Sequence, residues 1–157
     1  MVPTRSGTRA KLREARFFLS QINKLVRKGG PRTPPQLAHF VNAFIAAARS
    51  VSHIMKAEYG AVVGWKEWRE KFPTSEDESF ILKRTTALRN SSLKQKPLKP
   101  KLLPMVAPVL EPGANGWMRP CGKVKVLWFL ALGNVELHAT ISRYADYLER
   151  LVSECEL

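Results

Sequence analysis

The chain has 157 residues, 45% of them apolar, which is enough to bury a core in one domain and too apolar for a disordered polymer. Its 26 Lys/Arg against 13 Asp/Glu leave a net charge of +13, a balance that attracts polyanions or acidic proteins. The longest unbroken apolar run, residues 126–132, falls far short of the roughly 20 residues that span a bilayer, so no membrane association is expected.

The first five residues carry a charge but no apolar signal core, which argues against secretion. Cys121 and Cys155 are the two cysteines, too few for a disulfide framework, and no Cys/His group has zinc spacing. A cytoplasmic protein without cofactor or metal is therefore expected, with Cys155 a buried free thiol on the last helix. The positive charge is concentrated. Residues 1–32 hold nine bases and one acid, and residues 83–103 hold seven bases and no acid.

In chain order, residues 9–28 predict an amphipathic helix with Ala15, Phe18, Leu19, Ile22, Leu25 and Val26 on its apolar stripe. Gly29-Gly30-Pro31 ends it. Thr33 is the expected N-cap of a second helix running to about Tyr59, its inner face built on Phe40, Phe44, Ala47, Val51, Ile54 and Met55. The narrow waist Ala46-Ala47-Ala48 allows close approach of another helix, from the same chain or from a second copy. A break at Gly60 and Gly64 leads to a short helix carrying Trp65 and Trp68, expected as packing anchors more than as base-stacking platforms.

Ser75 and the acids Glu76, Asp77 and Glu78 mark the start of a third long helix, about 75–93, with Phe80, Ile81 and Leu88 inward. Six prolines between 97 and 120 exclude regular helix. Residues 105–110 fit an edge strand, residues 111–116 a turn and residues 123–129 a second strand. Gly133-Asn134 is expected to cap a final helix, about 135–154, striped by Leu137, Ile141, Tyr144, Leu148, Leu151, Val152 and Cys155. The expected fold is mainly α: an antiparallel up-and-down four-helix bundle with a small β-hairpin inserted before the last helix, within 97–133 of a single domain, 1–157.

Neither a nucleophile elbow nor a phosphate-binding glycine loop occurs. His39, His53 and His138 lie on or beside helices without a second metal ligand nearby, and read as ordinary helix residues. The remaining motif is Leu88-Arg89-Asn90 with Lys94 beyond it, at the end of the third long helix. Its plain structural meaning would be an Arg complementing the helix dipole and an Asn at a helix end.

The helix "LREARFFLSQI", the following helix "HFVNAFIAAARSV", the acid-led helix ending in "LRN" and the closing helix rich in Tyr and Leu together resemble the HEPN superfamily of helical bundles. The resemblance implies a homodimer and the setting of a prokaryotic toxin, defence or interaction protein. Active members are metal-independent RNases whose motif is Arg, a polar residue, three to five further residues, then His. Carried onto this chain, Arg89 would bind phosphate, which suits its planar fork, and Asn90 would orient substrate or backbone. At the His position stands Lys94, a poor replacement for an imidazole titrating near neutrality.

A binding module for RNA or another polyanion without efficient catalysis follows, using Arg9, Lys11, Arg13, Arg16, Lys83, Arg84, Arg89, Lys94 and Lys96. The alternatives are a metal-independent RNase acting through Arg89, Asn90 or Lys94, and a protein–protein module without a nucleic-acid role. The module would meet an acidic partner or an antitoxin through Trp65/Trp68 or the hairpin.

Overall fold

A computed structural model describes residues 6–30, 32–94, 98–113, 116–132 and 135–155 of the chain. The described residues are mainly helical. The order is α1 (Ser6–Lys28), α2 (Pro35–Tyr59), α3 (Trp65–Lys71), α4 (Glu76–Lys94), β1 (Lys101–Pro112), β2 (Met118–Leu132), β3 (Val135–Glu136) and α5 (His138–Cys155).

One hydrophobic core is shared by α1, α2, α4, α5 and the base of the hairpin. Helix α1 contributes Ala15, Leu19, Ile22 and Val26, at the three-four spacing of its apolar stripe. Facing it, α2 buries Leu37, Val41, Phe44, Ala48, Val51 and Met55, and α5 closes the core with Ile141, Tyr144, Leu148 and Leu151. Ala47 and Ala48 are buried within the chain's own core, so the alanine waist serves an intramolecular contact; Ala46 faces outward. Phe44 and Tyr144 meet edge to face at 6.5 Å between ring centres, an arrangement the aromatic quadrupoles favour.

The helix ends show where tertiary contacts take over from local caps. The Glu58 carboxylate on α2 accepts from the Gly7 amide at 2.9 Å, and from the Thr8 amide at 3.2 Å and hydroxyl at 2.5 Å. It thereby caps the start of α1 and complements its dipole. Gly29 ends α1 at φ 60°, as its sequence position predicts, and the Trp128 indole lies directly over it. Thr33 does not cap α2; its hydroxyl instead accepts from the Leu102 amide at 3.0 Å, tying the hairpin to the helix entry. Ser75 and Glu78 form a reciprocal capping box at the start of α4.

Three expectations need correction. Phe80 is 62% exposed rather than inward, while Ile81 takes the core position. Both strands run well past their expected limits, because β1 is an outer strand and its prolines 104, 108 and 112 share one parity. Their missing donors thus fall along one edge, and an unpaired edge tolerates that. The final helix begins at His138 because residues 135–136 add a short strand to β2. Residues 114–115 of the turn and the Gly133-Asn134 cap lie outside the described residues.

The hairpin is an arm about 40 Å long at the usual rise per residue. Leu102, Trp128 and Leu130 share one face and root it in the core. Farther out, Val106, Val124 and Val126 continue that face into solvent, and Met105 and Leu127 are exposed on the other. Gly122, at φ 77°, supplies the left-handed residue where the register shifts opposite Pro108/Leu110. No helix is long and apolar enough to cross a membrane among the described residues.

Candidate nucleic-acid interface

Arg89, on the last turns of α4, is half-buried at the crossing of α4 with α2. A cleft of about 150 Å³ opens there. Its α2 wall is built from Asn42, Arg49, Ser50 and His53, residues that recur at three-four spacing and so project from one side of the helix. Arg89 supplies the opposite wall. No acid lines the cleft among the described residues.

The polar groups in this wall differ in what they have left to offer. The Asn42 amide is committed, donating to Ala38 O and Leu98 O and accepting from the Leu98 amide. Ser50 donates its hydroxyl to Ala46 O at 2.9 Å. Arg49 is different. Its guanidinium reaches Thr86 Oγ1 at 3.5 Å, its Nε is buried without a hydrogen-bond partner, and among the described residues no carboxylate pairs with it. Beneath it lies Tyr144, whose phenol is pushed up from its ordinary value by burial, against a smaller opposing pull from Arg49.

The other candidate residues divide by position. Asn90, one residue and about 100° farther round the helix, is exposed and does not line the cleft. Lys94 is the final residue of α4, its side chain outside those described, and Lys96 lies wholly outside the described residues. On α1, Arg9 and Arg13 are exposed. Lys11 pairs with Glu14 at 2.6 Å, and Arg16 pairs with Asp146 at 3.1 Å and with Glu149. These two cations are tied up in the fold. Lys83 is exposed, and Arg84 lies over the Phe80 ring at 5.8 Å, so that the outward aromatic carries a cation. The α1 bases and Arg89 therefore do not form one site.

A second, wider cleft of about 800 Å³ lies at the end of α2, where Lys56 faces Trp65, Lys66, Arg69 and the acid Glu70. Trp65 and Trp68 pack against the core, and Trp68 meets Phe72 edge to face at 5.4 Å, as expected for anchors. Trp65 nevertheless keeps a buried indole N–H without a partner at this cleft. Arg49, His53, Lys56 and Gly60 follow one another along α2 at three-four spacing, so both clefts open along a single track.

Sequence reasoning did not single out Arg49, and it read His53 as an ordinary helix residue. Arg49 ends the apolar stretch Phe44 to Ala48, which is a usable signal, but the pairing of Arg49 and His53 with Arg89 depends on which helices pack together. Among the described residues no group of three His, Cys, Asp or Glu side chains is placed to hold a metal ion. No family model, curated protein or solved structure matches the chain.

Proposed function

We propose that the chain is a HEPN-like four-helix bundle that binds RNA or a similar polyanion, as a homodimer, with little or no cleavage activity. The observation that carries the reading is the excess of positive charge in the clefts along α2, uncompensated where α2 crosses α4. Arg49 and Arg89 meet in a cleft without an acid, and Lys56, Lys66 and Arg69, three bases against the single acid Glu70, continue the cationic track beside an aromatic. Single-stranded nucleic acid is bound by that combination, a basic groove for the backbone and an aromatic wall for bases. Lys94 in place of the family's His removes the group that would move a proton near neutral pH, which is why binding without efficient turnover is proposed.

The test is binding of labelled single-stranded RNA at low salt, with a parallel metal-free incubation to look for cleavage. Binding without cleavage supports the reading. Failure to bind at low salt overturns it. Arg89-dependent cleavage would favour the RNase alternative.

A protein–protein role has its own support in the arm, where Met105, Val106, Val124, Val126 and Leu127 are exposed on a two-stranded ribbon with open edges. An acidic partner fits the bases Arg119, Lys123 and Lys125 that accompany them. Recovery of one acidic protein, lost on changing Val106 and Val126 to Ser and with no RNA retained, would favour that reading.

A further inference from the structure

We propose that the α2–α4 cleft is a phosphate site in which Arg49, Arg89 and His53 hold a single phosphoryl group. Arg49 carries the case. Arg49 is half-buried, and its enclosed Nε–H is costly to take out of water unless an acceptor replaces its hydration. Here its hydroxyl neighbours are Thr86 and Tyr144, its Nε–H has no acceptor, and no carboxylate of the described residues pairs with it.

The rest of the cleft fits the same occupant. Arg89 and His53 stand on opposite walls, adding a second planar fork and a ring N–H to the Arg49 donor. With Asn42 and Ser50 committed to backbone carbonyls, the donors left are those of the two arginines and His53. The volume of about 150 Å³ admits a tetrahedral phosphoryl group with a few waters, at about 30 Å³ per water, and is small for a nucleoside. Three cationic or polar donors converging without an acid suit the non-bridging oxygens of a phosphoryl group, two in a diester and three in a monoester. The phosphoryl group belongs either to an internal diester of a strand or to a terminal or free monoester. This site rests on the nucleic-acid reading only for that source.

The experiment uses the whole chain and the imidazole resonances of its three histidines, with His53 assigned through His53→Gln. Inorganic phosphate at constant ionic strength should move the His53 signals and leave those of His39 and His138 in place, while chloride moves none. Arg89→Gln should weaken the response about tenfold or more, the worth of a charge-assisted hydrogen bond. Arg49→Met should abolish phosphate-dependent thermal stabilisation; Arg89→Gln, on the half-exposed wall, serves if Arg49→Met folds poorly. Stationary His53 signals, or three histidines moving alike as for an adventitious ion only, would overturn the site.

RNA with hydroxyl ends that displaces phosphate identifies a strand diester, and displacement by 5′-phosphorylated RNA alone identifies a terminal monoester. A phosphate response with no RNA binding sustains the site and refutes the nucleic-acid reading. RNA binding with His53 unmoved by either ligand refutes the site alone.

Discussion

Replacing Gly29 by Ala tests how the helical core and the hairpin are joined. At φ 60° an L side chain in the left-handed region costs about 1–2 kcal/mol. The added Cβ would also come to 2.1 Å from Trp128 Cδ1, deep inside contact distance. Trp128 is half-buried against the core, so it can move only by giving up packing, an overpacking cost of about 1–3 kcal/mol. Together a loss of about 2–5 kcal/mol is expected, read as a lower urea midpoint with unchanged slope. The two contributions separate in a double-mutant cycle. In a Trp128→Ala background Gly29→Ala should cost only its backbone share, giving a coupling of about 1 kcal/mol or more. Additive costs would refute the packing of Trp128 over the α1 terminus.

Glu58→Ala leaves the Gly7 and Thr8 donors without an acceptor and should cost about 1–2 kcal/mol in urea denaturation, whereas capping by solvent alone predicts no change. Burial pushes the Glu78 carboxyl up, but hydrogen bonds from Ser75 and Arg150 outweigh this and hold it below the ordinary 4.5. Its stabilisation is therefore complete above that value and lost as pH falls through the lowered one, so Glu78→Gln should flatten the acid limb of a stability–pH curve. Leu130→Ala, at the buried root of the arm, should cost about 2–5 kcal/mol, while Val126→Ser on its exposed length should stay within about 0.5 kcal/mol. A large loss at Val126 would mean that the arm is covered in solution.

What the residues alone disclosed follows the range of the forces involved. The stripes of α1, α2 and α5 and the Gly29 cap were legible because a helix periodicity or a left-handed residue is set within a few positions. Thr33 misled because its hydroxyl is claimed by Leu102, 69 residues away, and not by its own helix. Phe80 misled because the stripe of α4 is weak, so its apolar residues alone do not fix which side faces the core; Ile81 does. The arm was underestimated because prolines that exclude helix also hide an edge strand. Arg89 was singled out from local sequence, but its neighbours Arg49 and His53 come from another helix, and only the α2–α4 packing unites them.

The most direct measurement of the central claim is the affinity for single-stranded RNA as a function of salt. Neutralised phosphates release counterions, so the logarithm of the binding constant should fall linearly with the logarithm of salt, by about 0.7 per phosphate contacted. A steep slope that becomes shallower by about that amount in Arg89→Gln is the predicted result. Binding indifferent to salt, or a slope that Arg89→Gln leaves unchanged, would contradict it.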